Sequence, residues 1–415
     1  MIKKFRKKLE NKDNRSLVEN FLSLSTLQVF SMVLPLVTLP YILRVLGLAN
    51  YGAVVLAGSL IAYFTSVTDY SFKITATRDV AVFRNSKKKL DLIYSKVMIL
   101  KTLLFLVSFA IISVIVLLYP PFYKARLLFF LTVPMLIGNT IFPDWFFQGM
   151  EKMKYITILN LIISVIVTTC VFIFIKQKED YWKYPLLQSC SLIFSGIIGQ
   201  IILIKKYKLR FIFLPPSIII NALKTNFPIF VNQCMPQLYN NTSTFLLGIL
   251  TNTSTLGIYD AIKKIVDLCI VLVGIVSRVF FPYLNRKNNA FLKYKKLMVA
   301  IGITLSILPI LFSKLIFWYL NIKSSNSFSI LTVLSIGIFG FCLYDIFGTN
   351  YFIIKRQDKI VMNNTIRSSL IGFALAWPLV NAFGILGAAI NLSFTRYLMG
   401  LGLYFKYKKS VAGDI

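Results

Sequence analysis

Histidine is absent from the 415 residues. No imidazole can act as a general base, zinc ligand or proton relay, which excludes a Ser-His-Asp hydrolase and a histidine metal centre. Cysteine is scarce: Cys170, Cys190, Cys234, Cys269 and Cys342 lie scattered in apolar stretches at no metal or redox spacing, and read as small packing residues. There is no Gly-x-x-x-x-Gly-Lys-Ser/Thr loop and no soluble nucleotide-binding segment, so transport by this chain is not driven by its own ATP hydrolysis. No cofactor is expected. Acids are few as well, 15 against 46 Lys and Arg, for a formal net charge of +31. Such an excess raises the question of nucleic acid. The bases form no single patch, however; they follow the alternation of the connections between apolar runs, and no nucleic-acid partner is expected.

Apolar residues are what the chain has in quantity, 57% of the total, with a mean hydropathy of +0.73. One large soluble domain would need far more polar surface. Twelve runs have membrane-spanning length: 21–43, 53–72, 97–118, 127–149, 155–175 and 184–204, then 227–250, 256–283, 297–320, 328–354, 366–383 and 387–405. Each is roughly 18 to 28 residues, enough to cross ~30 Å of hydrocarbon straight or tilted. Only helices satisfy their own backbone in such runs, so the expected fold is an all-α integral membrane protein with about twelve transmembrane helices.

The termini and even-numbered connections hold roughly 32 of the basic residues and the odd-numbered ones roughly 7, a bias that places both termini in the cytoplasm. The dense loops include Arg84, Lys87, Lys88 and Lys89, then Lys205, Lys206, Lys208 and Arg210, then Lys293, Lys295 and Lys296. They suit an anionic inner leaflet. At the start, Lys3, Lys4, Arg6, Lys7 and Lys8 precede a span too long for a signal-peptide core, with no small-residue cleavage site. They read as an orientation signal, with nothing removed.

The basic loop from Lys205 to Lys224, with Pro215 and Pro216, divides the spans six and six, giving expected lobes of 1–210 and 211–415. Span 1 carries Pro35 and Pro40 and runs out to Tyr51-Gly52; span 7 carries Pro228 and Pro236 and runs out to Gly257-Ile258-Tyr259. Proline interrupts the helical ladder, so both helices are expected to bend at matching places. Paired interrupted helices in two halves point to a transporter's working site. Span 7 also carries Asn232, Gln233, Gln237, Asn240 and Asn241, close to one helical face: either helix-packing glue or, as favoured here, the wall of a wet cavity.

A charge at mid-membrane costs at least ~2.5 kcal/mol, so each needs a reason. Span 8 carries Asp260, Lys263, Lys264 and Asp267 at i, i+3, i+4 and i+7. Asp260 to Lys264 is an i, i+4 pair in the favourable order, and Lys263 to Asp267 one in the weaker order. This stripe either neutralises itself or lines a cavity. Arg396, in the middle of span 12, should meet an acid or face water; Arg278, Lys314, Lys101 and Arg367 lie nearer span ends, within snorkelling reach. Asp69, Asp144 and Asp345 are possible protonation sites for ion coupling or partners for a nearby base. The interior has more bases than acids, which favours an anionic cargo over a cationic drug.

Several runs resemble the Wzx-type polysaccharide flippases of the multidrug/oligosaccharidyl-lipid/polysaccharide exporter superfamily. Leu39-Pro40-Tyr41-Ile42-Leu43-Arg44-Val45-Leu46-Gly47 with Tyr51-Gly52 is similar to that family's first outer turn. Asp69-Tyr70-Ser71-Phe72 followed by Ala76-Thr77-Arg78-Asp79-Val80-Ala81 resembles its signature after span 2, with Ser71 where glycine is frequent. Pro143-Asp144-Trp145-Phe146-Phe147-Gln148-Gly149-Met150-Glu151-Lys152 is similar to its span 4 to 5 junction. Gly257-Ile258-Tyr259 with Ala261, Lys264 and Ile265, then Phe281-Pro282-Tyr283, resembles span 8; Lys263 departs from it, since an acid is common there.

The resemblance implies two six-helix lobes around a central cavity in a bacterial inner membrane. The implied cargo is an undecaprenyl-pyrophosphate-linked oligosaccharide, flipped to the outer leaflet for O-antigen, lipopolysaccharide or capsule synthesis. Implied partners are a polysaccharide polymerase and a chain-length regulator. Arg44, Lys263 and Lys264 are the candidates for the pyrophosphate or acidic sugars. Asn232, Gln233, Gln237, Asn240 and Asn241 are the candidates for sugar hydroxyls, and Asp69, Asp260, Asp267, Asp345 and Arg396 for ion coupling or structural pairs. The alternatives are an ion-coupled multidrug exporter of the same fold and a membrane-bound glycan polymerase or ligase; the short outer connections disfavour an enzyme, and an uncoupled scramblase or scaffold stays open.

Overall fold

The computed structural model describes residues 12–286, 290–324 and 326–413, with side chains described at 30 and from 33 onward except at 282. The basic run Lys3 to Lys8 lies outside the described residues. Every regular element among the described residues is helical. Nine of these helices are long and apolar enough to cross a membrane, and the protein is an all-α integral membrane protein.

The chain begins with α1 (Lys12–Asp69), α2 (Phe72–Phe83) and α3 (Lys87–Leu118). Next come α4 (Pro120–Lys124), α5 (Arg126–Thr132), α6 (Pro134–Ile141) and α7 (Asp144–Gly149). Then follow α8 (Met153–Phe174), a 3₁₀ turn (Lys178–Trp182), α9 (Lys183–Lys205) and α10 (Pro216–Leu250). The rest comprises α11 (Thr253–Arg286), α12 (Phe291–Leu311), α13 (Ser313–Leu320), α14 (Ser327–Tyr344), a π-helix (Asp345–Ile353) and α15 (Asp358–Ala412).

Outward-facing side chains carry the membrane signal. On α3, Leu103, Leu106, Val107 and Val114 are exposed, and on α8 so are Ile158, Ile162, Val165 and Ile166. Two helices longer than any span break at glycine: α1 at Gly47 (φ 77°) and α15 at Gly384 (φ 53°), backbone conformations that L side chains rarely adopt. The expected span 127–149 is one of the nine, Arg126–Gly149, and within it Pro134 opens α6 and Pro143 precedes α7, each removing a ladder donor and dividing the crossing into three short helices.

The helices gather into two compact units. The first contains residues 64–176 and 182–231 with the start of α1 up to Pro35; the second contains 36–63, 177–181 and 232–415. The boundaries at 35/36 and 231/232 therefore fall inside helices, beside Pro35 in α1 and between Pro228 and Pro236 in α10, both of which keep helical assignment through their prolines.

In the first unit the core joins α2, α3 and α7 through Phe72, Ala76, Val80, Val97, Phe146 and Phe147. The two signature runs are each other's partners. Thr77 Oγ1 donates to the Trp145 carbonyl at 3.1 Å, Lys73 pairs with Asp144 at 3.3 Å, and Arg84 pairs with Glu151 at 3.6 Å. The link between α1 and α2 is two consecutive left-handed residues, Tyr70 (φ 39°) and Ser71 (φ 62°).

In the second unit the matching segments of the two sequence halves touch. A Cβ on Gly52 would stand 1.7 Å from the Thr253 carbonyl oxygen, and one on Gly257 would stand 2.4 Å from that of Leu48. Only glycines permit this backbone approach.

Two substitutions test these statements. Ser71→Gly should stabilise the protein by about 1 kcal/mol, since the left-handed conformation costs a non-glycine residue about that much and the buried Ser71 hydroxyl has no hydrogen-bond partner among the described residues to lose. Gly52→Ala should destabilise by about 1–3 kcal/mol or more through overpacking. Thermal unfolding of the purified protein in one detergent reads both signs.

Candidate functional site

Five charges meet inside the second unit, four of them on α11. The i, i+3, i+4, i+7 spacing puts Asp260, Lys263, Lys264 and Asp267 on one face. The Asp260–Lys264 pair forms, at 3.0 Å. Tyr51, four residues past the Gly47 break in α1, closes it into a triangle: its hydroxyl donates to Asp260 Oδ2 at 2.5 Å and accepts from Lys264 Nζ at 2.6 Å. The ring of Tyr51 also lies 5.1 Å from the ammonium.

The second expected i, i+4 pair is not the one seen. Asp267 instead takes Arg396 Nη2 from α15 at 3.0 Å. Arg396 is 4% exposed, against 29% for Asp267, so the guanidinium has the greater need for a counter-charge, and Lys263–Asp267 runs in the weaker order. The buried tyrosines Tyr239 and Tyr259 share its electrostatic surroundings. Lys263 turns to α10, donating to the Asn240 carbonyl at 3.4 Å. With two acids against three bases, the cluster carries a net charge of +1, and Lys263 is the member without a salt bridge among the described residues.

The amide row of α10 stands beside it. Asn232, Gln237, Asn240 and Asn241 are half-buried and Gln233 is exposed. Asn241 donates to Gln237 Oε1 at 3.1 Å. In a helix that crosses a membrane, amides left accessible would require water or a polar ligand, because hydrocarbon offers no hydrogen bonds. Further along, Tyr63 and Thr242 share a hydrogen bond of 2.7 Å, and Asn391 donates to Ser243 at 2.8 Å and to the Gly372 carbonyl at 3.0 Å.

Other nominated residues lie apart. Arg44 is exposed on α1, with no ion pair or hydrogen bond to the stripe among the described residues. Asp345 is buried at the start of the π-helix, takes a hydrogen bond from Thr349 at 3.0 Å, and lies beside Ser277 and Arg278. Asp69 belongs to the first unit and meets Lys101, which is 1% exposed and also donates to the Asn139 carbonyl at 2.9 Å. Lys101 is thus a paired residue rather than a snorkelling one.

Sequence reasoning missed Tyr51 and Asn391. Tyr51 stands inside a quoted motif, but nothing in its spacing reveals a contact 209 residues away. Asn391 carried a usable signal: an amide in the middle of an apolar span needs a partner.

The Arg396 pair has a definite consequence. Asp267→Asn should destabilise by about 3 kcal/mol, because it strands a buried guanidinium. Replacing both partners, Asp267→Leu with Arg396→Met, should recover much of that loss. A double-mutant cycle on thermal unfolding of the purified protein measures the coupling.

Comparison with known proteins follows from this architecture. A family model described as "Polysaccharide biosynthesis protein" matches residues 17–288. The provisionally named O-antigen transporter of Escherichia coli strain K12 is 27% identical over 398 residues, 94% of this chain and 96% of that protein. Among solved structures, the lipid II flippase MurJ in an inward closed conformation superposes with a TM-score of 0.67 at 16% identity, covering 95% of this chain and 87% of that one. An inward-facing multidrug resistance transporter of the MATE family, in the MOP superfamily, gives 0.67 at 14% identity, covering 94% and 98%. These two share the fold. With the family model covering well over half of its residues, the chain belongs to the polysaccharide biosynthesis protein family, in keeping with its resemblance to the Wzx-type flippases.

Proposed function

We propose that the protein is a flippase that moves undecaprenyl-pyrophosphate-linked oligosaccharide repeat units from the inner to the outer leaflet of a bacterial cytoplasmic membrane, by alternating access. It acts as a transporter rather than an enzyme. The observation that carries this reading is the +1 charge cluster beside the accessible amide row. Lys263 is a cation that donates to the backbone carbonyl of Asn240 on α10, the helix that also carries Asn232, Gln233, Gln237 and Asn241. A cation suits a phosphate, and amides that both donate and accept suit sugar hydroxyls. The name of the Escherichia coli relative supports the same cargo class. A net positive cluster disfavours the cationic-drug reading that the multidrug neighbour would suggest.

The remaining roles follow from this reading. Lys263 meets the pyrophosphate first, with Arg44 as a second cation, and Lys264 contributes when it leaves Asp260. Asp69, Asp260, Asp267, Asp345 and Arg396 serve as coupling or structural charges. The chain makes twelve crossings in two six-helix lobes, 1–210 and 211–415: the breaks at Gly47 and Gly384 divide two long helices, and the polar α10 adds a crossing that its hydropathy hides. Both termini are cytoplasmic, and the polymerase and chain-length regulator act on the product. The lobes rock about spans 1 and 7, and the unit boundaries beside the prolines of α1 and α10 support this.

Lys263→Gln tests the reading. Losing one charge-assisted contact to a phosphate, about 1.5–3 kcal/mol, should cut flipping about ten- to a hundredfold while the protein stays inserted. In cells deleted for the gene, an enzyme that cannot enter the cell reports which leaflet holds the lipid-linked repeat unit. Complementation by the wild type should release units trapped inside, and Lys263→Gln should release them about ten- to a hundredfold more slowly. Repeat units that reach the outer leaflet without the protein but stay unpolymerised would overturn the flippase reading in favour of an enzyme.

A further inference from the structure

One long stretch of the chain has bases and no acids. From Leu268 to Tyr344 the chain runs 77 residues without an Asp or Glu and carries eight Lys or Arg. In the same stretch the end of α11 and the start of α12 leave a cleft of about 430 Å³ between them, within the size range of small-molecule sites. Its walls are two i, i+4 pairs, Val279 with Tyr283 on α11 and Lys293 with Leu297 on α12, together with Phe280. Tyr294, 2% exposed, is also part of the lining. Its hydroxyl accepts from Asn350 at 2.6 Å and its ring packs 5.4 Å from Phe280, so this wall is fixed. Val279, Tyr283, Lys293 and Leu297 are exposed.

We propose that this cleft binds an anionic glycerophospholipid of the cytoplasmic leaflet. Lys293 at the mouth holds the phosphate, while Val279, Phe280, Tyr283 and Leu297 hold the first segment of an acyl chain. Three observations select this occupant. Lys293 has no salt bridge among the described residues, and its own segment supplies no acid to compete with a phosphate. The open walls are mostly apolar, as an acyl chain requires and a soluble anion does not. The cleft lies at the end of the helices that the loop charges assign to the inner leaflet, where anionic headgroups concentrate and basic recesses between helices capture them. This placement rests on the proposed orientation; it is independent of the flippase reading, since the lipid is a bound component and not the cargo.

The test uses the full-length protein, delipidated in a mild detergent, with phosphatidylglycerol, cardiolipin or phosphatidylcholine of matched chains added back. Native mass spectrometry counts bound lipid, and thermal unfolding reports stabilisation. Phosphatidylglycerol and cardiolipin should bind and stabilise where phosphatidylcholine does not. Lys293→Ala should weaken that binding about fivefold, Lys293→Glu further, and Lys293→Arg should retain it. Val279→Trp fills the cleft without touching the charge and should also displace the lipid. Equal stabilisation by phosphatidylcholine, or anionic binding unchanged in Lys293→Glu and Val279→Trp, would overturn the proposal. So would a dimer that Val279→Trp dissociates, which would make the cleft a contact with a second copy of the chain. Because flipping is not the readout, an inactive flippase and an empty lipid site give different results.

Discussion

Charge inside hydrocarbon is the constraint on which the second unit is built. Asp260, Lys263, Lys264, Asp267 and Arg396 could each be tolerated only if neutralised, hydrogen-bonded or wet. The unit satisfies that demand by bringing α1, α11 and α15 together at two ion pairs, and the demand accounts for which side chains touch. Tyr51 is drawn to Asp260 and Lys264 because a phenol can donate to the acid and accept from the base at once. The close backbone approach at Gly52 and Gly257 is what allows α1 to stand near enough to α11 for that phenol to reach.

Much of this was legible in the linear chain, and the limits of legibility have physical causes. The face of α11 followed from helical spacing alone, because the four charges are local. The identity of Asp267's partner did not, because two candidate bases competed: Lys263 four residues away and Arg396 129 residues away. Burial decided between them. A guanidinium fixed in the middle of span 12 cannot reach water, whereas Lys263 has an accessible amide row beside it. Span positions read well wherever a run was wholly apolar. At span 4 the run kept its bounds although Pro134 and Pro143 divide it into short helices, whereas the polar span 7 is helical but not among the nine stretches apolar enough to cross. Ser71 illustrates another partial reading: the preference for glycine was visible as a resemblance, but its cause, a left-handed backbone at φ 62°, required coordinates.

The first unit shows what the most recognisable motifs do locally. The run after span 2 and the run at the span 4 to 5 junction look like separate signatures in sequence. In space they form one joint, with Lys73 on Asp144, Thr77 on the Trp145 carbonyl and Arg84 on Glu151. Gly149 lies against Val80 and the Thr77 carbonyl, where a Cβ would come within 2.7 Å. These residues hold α2 against α7, and their charges are used on one another. A motif can therefore identify a family strongly while contributing scaffold rather than ligand contacts.

The charges of the second unit bear on cargo. In the first unit each of Asp69, Asp144 and Glu151 has a base beside it, Lys101, Lys73 and Arg84 in turn, and Asp79 has two, Lys96 and Arg78. In the second unit the cluster on α11 and α15 ends one acid short, and the stretch that follows has no acid until Asp345. An interior that neutralised every charge would be stable and would discriminate nothing. A residual cation at membrane depth lowers stability slightly and lowers the energy of an anion far more, because the low dielectric that penalises the lone cation strengthens its attraction to a phosphate. On the proposed reading, Lys263, which has no salt bridge among the described residues, is the residue of this unit that would select by charge, and the amides of α10 would extend that selection from phosphate to the sugars joined to it.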